Sequence, residues 1–266
     1  MSNSADRLRI LVTNDDGIHA PGLTIAEKIA RALSDDVWVV APETEQSGAS
    51  HSLTLTQPLR LRQIDAKRFA VTGTPSDCVM MAVASVMEQS PPNLVISGVN
   101  RGSNIADDVT YSGTIAGAME GTALGIRSLA LSQAYGFGED RDVPWHCAET
   151  HGPYVIRKLV DVGWPSDVLM NINFPDLPPD KVMAIEMTEQ GKRDLQTATI
   201  DRRIDARGNP YYWIGFKRER SHPPEGTDLR AIYDGRISVT PLHLNLTEHR
   251  VREKLKAQID GPPRAS

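Results

Sequence analysis

Residues 9–22 read RILVTNDDGIHAPG. Ile10, Leu11 and Val12 make a short apolar run of buried-strand type, and the run leads straight into two adjacent carboxylates, Asp15 and Asp16. Gly17 and Gly22 bracket a loop, after which Leu23, Ala26, Ile29, Ala30 and Leu33 recur at helical spacing. In open α/β sheets, ligands collect outside the carboxyl ends of the strands. Two acids at such an end are therefore placed to hold a divalent metal ion. Aspartates also cap helices and soften turns, and on this stretch alone both readings stand.

Working outward, residues 37–41 (VWVVA), 69–71, 94–96 and 129–131 read as further buried strands. Leu53, Leu55, Leu59 and Leu61 alternate with polar residues, as in a half-exposed ribbon. Thr74-Pro75-Ser76-Asp77 is a helix-start signature, with Thr74 as N-cap and Asp77 as its capping-box acid. The helix it opens carries Val79, Met80, Val83 and Val86, with the methionines as core fillers. Ser112 is placed to cap a helix running to about Leu124, whose Gly113, Ala116, Gly117 and Ala118 form a face small enough to lie close on a sheet. Alternation of strands and helices to about residue 132 predicts a parallel sheet with helices on both faces. Residues 150–162 then read as helix and 168–174 as strand. From 182 to 246 the pattern turns β-rich, with runs at 182–187, 211–216 and 237–240, before a charged helical tail at 250–259. The expected organisation is an α/β core over residues 1–180 and a β-rich extension over 181–266 that is not an independent domain.

The bulk properties set limits. The chain has 266 residues, 40% hydrophobic and 24% charged, with a formal net charge of -5. That is a globular composition, and its sign argues against a binder of nucleic-acid polymers that relies on a basic surface. Cys78 and Cys147 cannot make a disulfide framework or a zinc cluster. No run approaches the roughly 18 apolar residues of a membrane span, and the first residues show no secretory pattern, so a cytoplasmic protein away from membranes is expected.

Four loops follow expected parallel strands. They carry Asp15 and Asp16; Gln46 to Ser52; Thr72 to Asp77; and Ser97 to Asn104 with Tyr111 to Thr114. Mg²⁺ or Mn²⁺ prefers oxygen ligands, and Ser47 and Asn100 could complete a mixed site around the two acids. Ser112-Gly113-Thr114 at a helix start reads either as a phosphate cradle or as an ordinary N-cap. His19 and His51 lie near these loops and read as proton carriers or as structural hydrogen-bonding groups. Asp228, Asp234, His243 and His249 have no spacing that singles them out. Neither a Walker P-loop, a GxGxxG fingerprint nor a GxSxG elbow is present at these loops.

As an ordered set, TNDDGIHAPG (from Thr13), APETEQSGASHSLTL (from Ala41), VTGTPSDCV (from Val71) and ISGVNRGSNIADDVTYSGTIAGAMEG (from Ile96) resemble the SurE family, metal-dependent 5'/3'-nucleotidases. NINFP at Asn171 and GTDLRAIYDGRISVTPLHLNLT at Gly226 extend the similarity to about Thr247. The resemblance implies a Rossmann-like three-layer α/β/α core with a mostly parallel sheet. It also implies a C-terminal extension exchanged between subunits of a homodimer or homotetramer. It implies one divalent ion per subunit, Mg²⁺ or Mn²⁺, held by Asp15, Asp16, Ser47 and Asn100, and a phosphate bound by Asn104, Ser112, Gly113 and Thr114. The implied activity is release of phosphate from nucleoside 5'- and 3'-monophosphates, extending in some members to short polyphosphate. Asp15 and Asp16 are the catalytic candidates. An activated water is the favoured nucleophile and an aspartyl-phosphate the rival. A nucleotide-binding sensor without turnover is the alternative. Two departures bear on substrate choice: the acidic Glu43 and Glu45, and Arg101 where a small residue is expected.

Overall fold

Strand β1 (Arg9–Thr13) lies at the middle of the sheet, paired in parallel with β2 (Asp36–Pro42) on one side and β5 (Leu94–Arg101) on the other. The computed structural model describes residues 8–136, 142–193, 196–218 and 222–261. The amino-terminal residues that show no secretory pattern lie outside them. From β1 the sheet grows one way through β2 to β4 (Arg68–Val71) and the edge strand β3 (Leu61–Asp65). It grows the other way through β5 to β6 (Arg127–Gln133) and β7 (Val168–Phe174). Strand β8 (Ile185–Met187) and strand β11 (Ile237–His243) complete nine strands in the order β3-β4-β2-β1-β5-β6-β7-β11-β8. The six strands from β4 to β7 are parallel, and the side on which successive strands are added changes between β1 and β5, the switch point at which such folds bind ligands.

Alternation along each strand sorts the core into two layers. Ile10, Val12, Val37, Val39, Leu94, Ile96, Leu129 and Leu131 face helix α1 (Pro21–Arg31) and helix α4 (Trp145–Val162). Leu11, Val40 and Val95 face helix α2 (Pro75–Met81), while Ala130 and Leu169 face helix α3 (Gly113–Ala123). The result is a three-layer α/β/α fold, as expected. The capping box also forms: Thr74 accepts from the Asp77 amide while Asp77 accepts from the Thr74 amide.

Helix α3 sits unusually close to the sheet because its contact face is glycine at every fourth position. A Cβ on Gly117 would stand 2.8 Å from Ser97 Oγ, and one on Gly121 would stand 2.4 Å from Ser128 Oγ. Gly22, at the start of α1, plays the same part on the opposite layer, where a Cβ would lie 2.0 Å from the Val99 carbonyl oxygen. Val99 belongs to a bulge where the β5–β6 register shifts between Ser97 and Asn100.

Several elements differ from expectation. The alternating leucines do not form a ribbon: only Leu61 enters β3, and Leu55 is 85% exposed. The chain there is held instead by Thr54, whose amide and hydroxyl both donate to Asp77. After Met81 the helix loosens into a π-turn over Ala82–Val86, and Met80, before it on α2, is 40% exposed rather than in the core. Strand β5 runs past Ile96 to Arg101 because β6 continues to pair with it beyond the bulge. Helix α4 begins at Trp145 and tolerates Pro153, with Gly152 making room for Ile29.

Past residue 181 the chain is less uniformly β than expected. Strands β9 (Gln196–Ile204) and β10 (Pro210–Arg218) form a separate antiparallel hairpin. A short helix α5 (Asp228–Tyr233) precedes β11, and helix α6 (His249–Ile259) ends the described chain. Asp228, which no spacing singled out, is completely buried. Its carboxylate accepts from the amides of Ala106 and Gly191 at 2.8 and 2.9 Å. Arg193 then closes a buried ion pair of 2.5 Å with Asp108. These contacts clamp the segment around 190–193 to the loop that follows β5.

Two outcomes follow for stability. Gly22→Ala forces a methyl into the Val99 carbonyl at a helical position with ordinary φ, so its cost is steric, about 2 kcal/mol in urea unfolding. A loss below 0.5 kcal/mol, on the order of an ordinary surface change, would refute the contact. Asp228→Ala takes the carboxylate acceptor from the amides of Ala106, Gly191 and Leu229 and should cost about 3 kcal/mol in the same measurement, with early proteolytic cleavage near residue 193.

Candidate active site

The site is built where β1 ends. Asn14 donates to the Gly17 carbonyl at 3.0 Å, and Gly17 takes φ 102°, a conformation open to glycine. This turn breaks the strand alternation that would send Asp15 and Asp16 to opposite faces, and both line one cleft. The loop after β2 is drawn in by backbone bonds from Ile18 to Pro42 and from Gln46 to Asp15, which brings Glu45 and Ser47 to the same cleft. The bulge in β5 delivers Asn100.

The start of α3 packs directly on Asp15. Gly113 makes this possible, since a Cβ there would lie 2.7 Å from that of Asp15. Thr114 is fully buried and its hydroxyl donates to Asp15 Oδ1 at 2.5 Å, so this side chain is spent on holding the carboxylate. Ser112 accepts from the Ile115 amide as a true N-cap, and it lines the cleft together with Gly113. The cap does not exclude an anion, because other amides of the first turn lack helical partners. Asn104 lines the cleft and is held from behind. Its amide donates to Asn173, its side chain donates to Ser132, and its carbonyl accepts from Asn171 and Asn173.

Burial raises the Asp15 carboxyl above its ordinary range, against the lowering hydrogen bond from Thr114. Burial, and then the charge of Asp15, pushes Asp16 up to about 6. Glu45 adds negative charge to both. Two desolvated acids with a third nearby are the environment that a cation would relieve. The neutral donors suit the same purpose. The Ser47 hydroxyl donates to Glu45 at 2.8 Å and the Asn100 amide nitrogen donates to the Gly102 carbonyl at 2.8 Å. Each keeps its oxygen as an acceptor, and an all-oxygen set fits a hard divalent ion. Among the described residues no three His, Cys, Asp or Glu side chains form a metal cluster by themselves, so such an ion would depend on these mixed donors.

The remaining candidates from the sequence, His19, His51 and the loop at Thr72 to Asp77, do not line this cleft. His19 is exposed, and His51 pairs with Glu120 at 3.0 Å. The Asp77 carboxylate is used by Thr74 and Thr54. Sequence reasoning did not find the cleft's far wall, where Tyr135, Lys181, Arg193, Tyr233 and Asp234 stand. One signal for its support was available: Asn171 and Asn173, two positions apart in an otherwise apolar strand, are both completely buried.

The family description "Survival protein SurE" matches residues 10–197. A protein of Parvibaculum lavamentivorans named 5'-nucleotidase SurE is 62% identical over 248 residues, 93% of this chain and 90% of that one. A Caulobacter vibrioides protein of the same name is 60% identical, covering 96% of this chain and 98% of its own. The crystal structure of the SurE protein from Aquifex aeolicus superposes with a TM-score of 0.81 at 39% identity, covering 94% of this chain and 99% of that one. With a matched fold, most of its length aligned and identity at this level, the chain belongs to the SurE family.

Proposed function

We propose that this chain is a nucleotidase that hydrolyses nucleoside 5'- and 3'-monophosphates to nucleoside and phosphate. In this reading it acts with one divalent ion per subunit, Mg²⁺ or Mn²⁺, in the cytoplasm, and short polyphosphate is a further substrate. The observation that carries the reading is the meeting of Asp15, Asp16, Ser47 and Asn100 in one cleft against the start of α3, in a chain whose relatives bear the name 5'-nucleotidase SurE.

In this reading Asp15, Asp16, Ser47 and Asn100 hold the ion, which when bound supplies Lewis-acid polarisation of the phosphoryl group. Asn104, Ser112 and the first amides of α3 at Gly113 and Thr114 bind the phosphoryl oxygens and stabilise the charge that develops on them. Thr114 adds indirectly by fixing Asp15. Asp16, less buried than Asp15, orients the attacking water and takes its proton. The buried network of Asn171, Asn173 and Ser132 keeps Asn104 in place, so part of the positioning work lies a layer behind the cleft.

The extension supports an oligomeric reading, a homodimer or homotetramer in which it contacts a second copy. A lone two-stranded hairpin is marginal in water, yet Tyr212, Trp213 and Ile214 are 56%, 60% and 75% exposed on both faces of β10. On α6, Val251, Leu255 and Ile259 fall at every fourth position and are all exposed. A second copy would cover these surfaces.

Phosphate release from a panel of 5'- and 3'-nucleoside monophosphates and tripolyphosphate tests the chemistry. Release should need added Mg²⁺ or Mn²⁺, stop with EDTA and fall by about 100-fold or more in Asp15→Asn. Metal-dependent nucleotide binding without any release would instead make the protein a sensor. For the assembly, light scattering of Trp213→Glu should show a smaller particle than the parent chain; an unchanged mass would remove the hairpin from the interface.

A further inference from the structure

The cleft reaches well beyond the acid pair, with a volume of about 1470 Å³. Its lining includes three cations, Arg101, Lys181 and Arg193. Arg193 is committed to Asp108, and Lys181 lies 3.7 Å from the carboxylate of Asp180. Arg101 is exposed, and its charge acts on the nearby Asp16, whose carboxyl it lowers. The Arg101 guanidinium stands over the ring of Tyr135, 5.2 Å from the centroid.

That position is built by the sheet. Arg101 ends β5 and pairs in register with Gln133 at the end of β6, two residues before Tyr135. The Gly102 amide donates to the Gln133 carbonyl at 2.9 Å and ties the two strand ends together. Gly102 takes φ 108°, a conformation that favours glycine, at the turn that follows. The Arg101 backbone amide bonds to Asp16, which fixes the start of the side chain beside the acid pair.

We propose that Arg101, supported by Tyr135, is a second anion-binding position that selects substrates carrying another phosphoryl group besides the one cleaved. The inference rests on the phosphomonoesterase reading of the acid pair. A guanidinium over an aromatic ring keeps its N–H edge open, and that edge matches two phosphoryl oxygens at once. In a cleft that holds Asp15, Asp16 and Glu45, a second phosphate beside them would be repelled unless a cation met it. Arg101 is the group placed to do so. A base stacked here would favour mono- and bisphosphate nucleotides alike, so the ratio between them separates the two occupants. The second phosphoryl group can be carried on the ribose or in a phosphoanhydride chain.

The test is calorimetric affinity, with Mg²⁺ present, of adenosine 5'-monophosphate, adenosine 3',5'-bisphosphate and tripolyphosphate for the parent chain, Arg101→Ala, Arg101→Lys and Tyr135→Ala. Phosphate release is measured alongside. In Arg101→Ala the preference for the bisphosphate or tripolyphosphate over the monophosphate should fall about tenfold or more. Arg101→Lys should keep only part of it, because the charge remains while the two-oxygen fork and its seat on the ring are lost. Tyr135→Ala should lose part of it, through affinity and not through turnover. A fall confined to the bisphosphate assigns the second group to the ribose; one confined to tripolyphosphate assigns it to a chain. An unchanged ratio for both ligands, or equal weakening of all three, overturns the proposal. Binding that follows the proposal without phosphate release would instead overturn the hydrolase reading while leaving Arg101's role standing.

Discussion

The close seat of α3 on β1 and β5 is the constraint on which the carboxyl edge of the sheet depends. Gly113, Gly117 and Gly121 put no side chain at the closest points of the contact, and the helix start comes to lie against Asp15. Three consequences follow from that approach. Thr114 is near enough to hold the Asp15 carboxylate. The positive end of a three-turn helix faces the acid pair, offsetting part of the cost of burying it. The amides of the first turn open on the same cleft as the acids. A side chain at any of the three glycines would push the helix outward and separate these groups together, which couples packing to chemistry more tightly than any single hydrogen bond does.

The far side of the cleft has a different origin. Apart from Tyr135 it belongs to chain from residue 175 onward, and polar anchors tie that chain to the rest. Asp228 collects amides from Ala106 and Gly191, and Arg193 meets Asp108. Buried charges held this way are costly to break, so the wall is fixed relative to the β5 loop. The same loop supplies Asn104 to the cleft, and a change in the clamp reaches the site through a few bonds. The hairpin begins only three residues after Arg193, so any surface that covers it acts close to this clamp.

The readable parts of the fold were those set by local chemistry. Buried strands showed as apolar runs, and Thr74 with Pro75 and Asp77 spelled out a helix start that the backbone realises. Ser112 did the same for α3. What escaped was decided at a distance. The last part of β5 reads as loop because Gly98 and Asn100 interrupt it, yet β6 pairs with it beyond the bulge. The first turn of α4, before residue 150, is unreadable because no side chain caps its start, while Gly152 and Pro153 lie inside the helix as a contact with Ile29 and a tolerated defect. Asp228 has meaning only through Ala106, 122 positions away. Of the four strand-end loops, three meet in the cleft; at the other, Asp77 is consumed by its own cap and by Thr54.

Charge makes the cleft selective before any shape does. Acids outnumber cations in its lining and the chain as a whole carries a net charge of -5, so the general field repels a phosphate ester. Binding therefore has to be won locally, at a few positions where positive potential is concentrated. The start of α3 is one, and on the proposed reading an ion between Asp15 and Asp16 is the second. The acid pair is suited to that task because its own ionisation is penalised by burial. A cation that relieves the penalty is bound more tightly than it would be by exposed carboxylates, and it turns the most repulsive point of the cleft into the most attractive one. Phosphate recognition and cation retention then become a single electrostatic problem, solved by placing two carboxylates where neither is comfortable alone.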